Sequence, residues 1–102
     1  MVTHTILFAF PAEMSEDDRA EFFREGTAMA LDSGLVESYV HKPSIPMSTN
    51  VMPAFVPSAM AQIKYADLES MRKYLVHPAV VEFVQKWRSK FAYQAVSVNT
   101  ED

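Results

Sequence analysis

The 102-residue sequence predicts a single α+β domain, residues 1–102, with the element order β-α-β-β-α-β. Three observations support this prediction. Four short segments are rich in β-branched and aromatic residues, as strands are. The segments between them repeat apolar residues at helical spacing. The first strand is apolar on both of its alternating faces, which is typical of a strand at the centre of a sheet.

The first strand is predicted over residues 2–10 and ends at Pro11. Because side chains alternate along a strand, one face of it carries Val2, His4, Ile6, Phe8 and Phe10. A lone histidine in such an apolar row is usually a hydrogen-bonded core residue. The same row would also be suitable to line a cavity beneath the helices.

The first helix is predicted to run from about Glu16 to about Asp32. Ser15 is a favourable N-cap, and three acidic residues follow it in the first turn, where the helix dipole favours negative charge. Gly26 lies in the middle of this helix and lowers its helix propensity. Close packing against the sheet would explain a glycine there, and so would room for a ligand; close packing is the commoner reason.

The second half of the chain contains the remaining predicted elements. A residue before a proline avoids the helical conformation, whereas proline itself suits the first turn of a helix. The second helical region is therefore expected to break at His77 and to restart at Pro78. The polar tail after residue 99 is expected to fray. The predicted strands are 35–42, 58–65 and 92–99, and the predicted helical segments are 67–76 and 78–91.

Residues 43–57 form an unusual loop with four prolines and no charged residue. The prolines forbid a regular helix or a central strand. A loop of this length in a compact domain is often functional. Its apolar side chains are too numerous for a solvated linker. We expect them to pack on a partner subunit, rather than on the domain's own edge or at the mouth of a ligand site.

The composition excludes several classes of function. The chain has a net charge of -4 and no long basic run, which argues against a nucleic-acid partner. It contains no cysteine, so disulfides, thiolate zinc sites and cysteine nucleophiles are excluded. The apolar run near the N-terminus is too short for a signal peptide or a membrane span. The predicted location is the cytoplasm.

The element order corresponds to the ferredoxin-like arrangement, a four-stranded antiparallel sheet with its helices on one face. The helices leave the other face of the sheet uncovered, although the first strand is apolar on that side too. A second copy of the chain would cover this face, and two such sheets facing each other would form a dimeric α/β barrel. We therefore expect a homodimer.

Three stretches resemble the stress-responsive dimeric α/β-barrel (Dabb) family. They are the opening strand with its histidine, the acidic helix start after Pro11, and the sequence YLVHPA at 74–79. The Tyr-x-x-His-Pro element within the last stretch is the most specific of the three. The resemblance covers nearly the whole chain, and it implies a ferredoxin-like homodimer without a bound organic cofactor.

The resemblance also implies candidate site residues. Some members of this family are stress proteins with no established chemistry, and others are polyketide cyclases or hydroxynitrile lyases that use acid–base chemistry in an apolar pocket. In a plant polyketide cyclase of the family, the tyrosine and the second histidine of a Tyr-x-x-His-Pro-x-His element carry an aldol cyclisation. The tyrosine matches Tyr74, but the position of that histidine is Val80 here. The first-strand histidine of the cyclase matches His4.

The candidate catalytic residues are therefore Tyr74, His4 and His77. Tyr74 would donate a hydrogen bond to a carbonyl oxygen. His4 or His77 would move a proton, because the pKa of an unperturbed imidazole lies near neutrality. Each residue also has an ordinary structural interpretation, respectively a tyrosine at the edge of the core, a hydrogen-bonded core histidine and a histidine that caps the backbone beside Pro78.

An apolar substrate pocket is expected between the helices and the sheet. Its candidate walls, which would otherwise be plain core, are Phe8, Phe22, Phe23, Phe83 and Trp87. The spacing of the histidines favours no metal site. Two hypotheses of function follow. The protein is either a cofactor-independent enzyme acting on a small carbonyl or aromatic compound, polyketide-cyclase-like or lyase-like, or a non-catalytic barrel that binds a hydrophobic metabolite or serves a stress role.

Overall fold

A computed structural model describes residues 1–47 and 54–102. Its elements follow the order β-α-β-β-α-α-β, because the second helical region is divided in two at His77-Pro78, as predicted. The elements are β1 (Val2–Ala9), α1 (Glu16–Asp32), β2 (Ser38–Pro43), β3 (Ala59–Tyr65), α2 (Leu68–Leu75), α3 (Pro78–Lys90) and β4 (Gln94–Glu101).

The four strands form one antiparallel sheet in the order β2-β3-β1-β4. The strand β1 is central, as its two apolar faces predicted. The helices cover one side of the sheet, which we call the helix-covered face. Four side chains form a row across this face, because the pairing aligns Tyr39 with Ile63, Ile63 with His4, and His4 with Asn99. The α+β, ferredoxin-like fold class is thus confirmed.

Each helix begins at a residue whose side chain satisfies a free backbone N–H group. Ser15 and Asp18 form a reciprocal capping box on α1, with hydrogen bonds of 3.1 and 3.0 Å. Asp67 accepts a hydrogen bond from the Ser70 backbone N–H, at 2.8 Å, and so caps α2. The caps fix where α1 and α2 start, and hence which of their side chains face the sheet.

Several predicted boundaries differ from the structure by one to three residues, and two of these differences have a clear physical reason. The strand β2 begins at Ser38 rather than at residue 35, because Gly34 turns the chain with a φ of +74° and the next residues lead into the sheet. The C-terminal tail does not fray but continues β4 to Glu101, which pairs with Val2. The backbone N–H of Asp102 donates a hydrogen bond of 2.9 Å to the Met1 carbonyl. The polar end of β4 is stable because its backbone N–H and C=O groups form hydrogen bonds with the central strand β1.

The predicted loop at 43–57 is described only in part. Pro43 is the last residue of β2, where it pairs with Ala59. Ile45 and Met47 are exposed in the described residues that follow. Residues 48–53 lie outside the described part of the chain, so the expected packing of this loop on a partner subunit stays a prediction.

The buried side chains between sheet and helices form two groups. The first, here called the aromatic cluster, is rich in rings; its buried members are Phe8, Met14, Phe22, Phe23, Ala59, Ala61, Trp87 and Tyr93. The second, here called the tyrosine cluster, contains Val2, Ala30, Ile63, Tyr65, Met71 and Tyr74. Both groups lie under the helices, so the core occupies one side of the sheet only.

The opposite side of the sheet, here called the open face, has no helix over it. It carries several exposed aliphatic side chains, namely Leu7, Val40, Val96 and Val98, the last of them 58% exposed. The residues of β4 are exposed along its whole length. No helix in the described residues is both long enough and apolar enough to cross a membrane.

Candidate functional site

A cavity of about 220 Å³ lies between the helix-covered face and the helices. Its floor comes from the sheet: His4, Ile6, Phe8, Tyr39, Ile63, Ala95 and Ser97, together with Val96 between the last two, whose side chain lies on the open face. Its walls and roof come mainly from the helices: Phe22, Gly26, Met29, Tyr74, Leu75, Val80, Phe83, Val84, Arg88 and Tyr93. The lining is predominantly apolar and contains no carboxylate, so a few polar groups decide what it can bind.

His4 lies on the floor, and its side chain is 9% exposed. Its Nδ1 forms a hydrogen bond with Oδ1 of Asn99, the next residue of the row on β4. An amide oxygen only accepts hydrogen bonds, so Nδ1 of the neutral ring carries the proton. The Nε2 atom of His4 is then left with a free lone pair, which is the form of imidazole that takes a proton.

Tyr74 projects from α2 and its side chain is 3% exposed. Its ring packs at 5.7 Å from that of Tyr65, measured between centroids. Burial raises the pKa of Tyr74 to about 12, so its hydroxyl is protonated and able to donate at neutral pH. The cavity thus has His4 on its floor and Tyr74 on its roof.

Tyr39 lines the cavity, although the sequence did not predict it as a site residue. It lies on β2 in the same row as His4, with Ile63 between them. Burial is the main cause that raises the pKa of Tyr39 above its usual range, and the neighbouring Tyr74 and Tyr93 add to it. The alternation of β2 placed Tyr39 on one face of its strand, but only the strand register shows that this face is the one beneath the helices.

His77 does not line the cavity. It is the N-cap of α3, and its Nδ1 accepts a hydrogen bond of 3.1 Å from the backbone N–H of Ala79. Pro78 forces the preceding residue out of the helix and so leaves the imidazole beside the first free N–H groups. This geometry corresponds to the capping role considered for His77 from the sequence.

Three of the five predicted pocket aromatics line the cavity, namely Phe8, Phe22 and Phe83. The other two do not. Trp87 is 2% exposed and packs its indole at 5.4 Å from the Phe22 ring within the aromatic cluster. Phe23 stacks on His41, with a centroid distance of 4.5 Å and an interplanar angle of 2°. Phe23 and His41 both line a second cavity of about 340 Å³. A helical stripe therefore predicts which residues are buried, but their position along the sheet decides which cavity, if any, they line.

One lining residue carries a permanent charge, and that is Arg88 near the end of α3. Its guanidinium donates to the Tyr93 carbonyl at 2.9 Å and lies 4.4 Å from the centre of the Tyr93 ring. Val80 also lines the cavity, at the position where the resemblance would place a catalytic histidine. In residues 1–47 and 54–102, no group of three His, Cys, Asp or Glu side chains is arranged as metal ligands would be.

No protein-family model and no curated protein matches this chain. Solved structures do match it. A hydroxynitrile lyase from Passiflora edulis has a TM-score of 0.80 at 8% identity, over 97% of this chain and 90% of the lyase. A Dabb family protein with a ferredoxin-like fold from Mesorhizobium loti has a TM-score of 0.76 at 15% identity, over 99% and 95% of the two chains.

A further match is a dimeric ferredoxin-like protein of unknown function from Thermobifida fusca. It has a TM-score of 0.77 at 12% identity, over 99% of this chain and 90% of that protein. At such identities the matches establish the fold and not the activity. The chain therefore has the fold of a Dabb protein, and the resemblance predicted from its sequence is confirmed at that level.

Proposed function

We propose that this protein is a cofactor-independent acid–base enzyme that acts on a small, largely apolar carbonyl or aromatic compound. The observation that supports it most strongly is that His4 and Tyr74 line the same cavity from opposite sides. The imidazole offers a proton acceptor, and the phenol offers a hydrogen-bond donor. Both act in apolar surroundings, where a charge that develops on a substrate oxygen is stabilised more strongly than in water.

The chemistry that this pair supports is a proton transfer next to a carbonyl group. The Nε2 atom of His4 takes a proton from the carbon beside the carbonyl, and the electron pair of the broken C–H bond moves into the enolate. The enolate oxygen accepts a hydrogen bond from the Tyr74 hydroxyl. The enolate carbon then either recovers the proton from the imidazolium or attacks a second carbonyl of the same molecule, whose oxygen takes the proton. No external oxidant or reductant takes part.

The size of the cavity restricts the substrate. A cavity of about 150 Å³ holds one benzene ring, whereas pockets for drug-sized molecules begin near about 300 Å³. The cavity of about 220 Å³ is intermediate between them. It is therefore suited to a monocyclic compound, or an open chain of comparable size, with one or two small oxygen substituents.

We also propose that the protein functions as a homodimer. The open face carries Leu7, Val40, Val96 and Val98 without a helix over them, and such a surface favours association. The neighbour from Thermobifida fusca is described as dimeric. Light scattering at micromolar concentration should give twice the 11.5 kDa mass of one chain. A single-chain mass would contradict the proposal.

A second function is favoured by one observation, the aliphatic Val80 in the cavity wall. The cavity therefore lacks the histidine that carries the aldol cyclisation in the plant cyclase of the family that the sequence resembles. A barrel of this kind would bind a hydrophobic metabolite without transforming it. His4, held by Asn99, would then be only a polar contact for the ligand.

Hydrogen–deuterium exchange of candidate substrates separates the two functions. A panel of aryl ketones and 1,3-diketones is incubated with the protein in D2O, and the loss of the proton signal beside the carbonyl is followed by NMR. An enzyme accelerates this exchange for at least one compound. Replacing His4→Ala should then slow the exchange roughly 100-fold or more, the usual contribution of a general base.

The matched control is His77→Asn, which keeps a helix cap and lies outside the cavity. We expect its exchange rate to equal that of the unmodified protein. Ligands that bind without any accelerated exchange would favour the binding function instead. Equal exchange rates in His4→Ala and the unmodified protein would contradict the role proposed for His4.

A further inference from the structure

We propose that Tyr39 is a second oxygen-binding hydroxyl of the cavity, and that Tyr39 and Tyr74 together hold one substrate oxygen that becomes negatively charged. The ligands favoured by this arrangement are small enols and phenols, or ketones that form enolates. The inference rests on the proposed acid–base function and specifies the class of substrate that the cavity selects.

The position of Tyr39 follows from the sheet. Neighbouring strands are about 4.8 Å apart, so Tyr39 and His4 start roughly 10 Å from each other, with Ile63 between them. From its place on β2, Tyr39 extends beneath α1. Its hydroxyl oxygen lies 3.3 Å from the point that a Cβ atom on Gly26 would occupy. The tyrosine thus brings a hydroxyl group into the cavity from the side, between the floor and the roof.

Gly26 explains how α1 accommodates this hydroxyl. The ring of Phe83 also approaches the same point, to 3.4 Å, so the side chains of two elements use the space that a larger residue on α1 would need. Both expectations for Gly26, close packing and room beside a ligand, describe the same location. The contact with the helix holds the Tyr39 ring in one orientation, which reduces the conformational entropy lost when a ligand binds.

The two proposed hydroxyls differ from a third one nearby. The hydroxyl of Tyr65 is sealed in the core with no hydrogen-bond partner. Within residues 1–47 and 54–102, no hydrogen bond joins the hydroxyl of Tyr39 or Tyr74 to another residue, and both side chains line the cavity. Unpaired donors in an apolar space are costly unless a ligand or water satisfies them.

The electrostatics favour an oxygen that gains charge during the reaction. Burial raises the pKa of both Tyr39 and Tyr74, so both hydroxyls are donors over the physiological pH range. When Nε2 of His4 takes the proton beside a carbonyl, or the proton of a phenol, the negative charge is on the substrate oxygen. Two donors directed at this oxygen stabilise it more than the neutral ground state, which is the requirement for catalysis.

Phenol binding tests this inference directly. The probe is 4-nitrophenol, and its dissociation constant and the bound fraction in the phenolate form are measured at pH 7 by calorimetry and absorbance. Tyr39→Phe should weaken binding roughly tenfold or more, the usual effect of losing a hydrogen bond to a charged group. It should also lower the phenolate fraction. The matched control is Tyr65→Phe, which removes a sealed hydroxyl and should change neither quantity.

Nitrobenzene serves as the matched ligand because it has the same ring without the acidic oxygen. Its binding should be unaffected by Tyr39→Phe. The inference is overturned if both variants bind 4-nitrophenol as the unmodified protein does, or if Tyr39→Phe weakens nitrobenzene and 4-nitrophenol equally, since that pattern indicates a packing role. If the unmodified protein exchanges ketone protons in D2O while Tyr39→Phe has no effect on phenols, only the inference about Tyr39 fails. If the unmodified protein neither exchanges protons nor binds phenols, the proposed function fails with it.

Discussion

At one end of the helix-covered face, the ring of Phe22 packs against Phe8, Phe23 and Trp87 at centroid distances of 5.3, 5.2 and 5.4 Å. Next to this cluster, and sharing Phe8 and Phe22 with it, lies an open space of about 220 Å³ whose polar lining residues include His4, Tyr39 and Tyr74. The same sheet and helices build both regions. In the aromatic cluster every ring packs against other rings, whereas in the cavity the polar side chains border an empty volume.

This difference in packing suggests that the aromatic cluster stabilises the fold, whereas the cavity provides the candidate function. Close aromatic packing contributes both buried area and favourable edge-to-face contacts. A cavity lined with donors and an imidazole contributes less, because its wall atoms lack neighbours on one side. The aromatic cluster should therefore provide most of the folding free energy, and the cavity should tolerate changes in its polar groups without unfolding.

Trp87→Ala tests this division with the largest expected effect. Trp87 is 2% exposed and contacts rings on either side, so its removal leaves a large void in the aromatic cluster. We expect a loss of about 3–5 kcal/mol in the free energy of unfolding, measured by denaturant titration. Tyr74→Phe, which keeps the ring, should change that free energy by less than about 1 kcal/mol. A similar loss in the two variants would contradict the separation of the two regions.

The aromatic cluster and the sheet order were largely predictable from the sequence. The two apolar faces of residues 2–10 placed the first strand at the centre, and Ser15 and Pro78 marked helix starts that the structure confirms. These features depend on neighbouring residues in the chain, and local physical rules apply to them. The end of β4 was not predictable in this way, since its polar residues are stabilised by pairing with β1, at the other end of the chain.

The cavity was predictable only in part, for a related reason. The sequence selected His4 and Tyr74, because a histidine in an apolar strand and a motif around Tyr74 are visible in the linear order. Tyr39 was missed because its place depends on the register of β2 against β3 and on the absence of a side chain at Gly26. Neither fact can be read from a local pattern.

The pH dependence of the free energy of unfolding tests whether the Tyr74 hydroxyl is buried. The expected effect is smaller than that of Trp87→Ala. An unfolded tyrosine ionises near pH 10, whereas burial raises the pKa of Tyr74 in the folded protein to about 12. The neutral form is thus favoured by folding, so the associated stability is complete below pH 10 and is lost as the pH rises from 10 to 12. The loss should be on the order of 1–3 kcal/mol for this residue.

Comparison with Tyr74→Phe measures that contribution together with the smaller effect of Tyr74 on the pKa values of Tyr39 and Tyr65, because groups far from residue 74 titrate equally in the two proteins. The difference between their free energies of unfolding should be constant from pH 7 to 9. Above pH 10 the unmodified protein should lose more stability than the variant. Parallel curves up to pH 12 would mean that Tyr74 ionises as easily in the folded chain as in the unfolded one, and its hydroxyl would then be well solvated.

Gly26→Ala has the smallest expected effect on stability and connects the two regions. Alanine favours the helix by about 0.8–1.0 kcal/mol over glycine. The new Cβ atom would lie 3.3 Å from the Tyr39 hydroxyl and 3.4 Å from the Phe83 ring, both at the ends of side chains that can shift by a few tenths of an ångström. We expect the free energy of unfolding to rise by a few tenths of a kcal/mol. The affinity for 4-nitrophenol should fall several-fold, because the Tyr39 hydroxyl is displaced.

The matched control is Gly34→Ala, at the other glycine of the chain. Gly34 has a φ of +74° and no atom within 4 Å of a Cβ placed there, so alanine is strained at this position without touching the cavity. It should lower the free energy of unfolding by about 1 kcal/mol and leave the affinity for 4-nitrophenol unchanged. If Gly26→Ala raises the free energy of unfolding but lowers the affinity for 4-nitrophenol, the glycine serves the cavity at the expense of stability. If Gly26→Ala bound 4-nitrophenol as tightly as the unmodified protein, the position of the Tyr39 hydroxyl would not matter for binding, and close packing alone would explain the glycine.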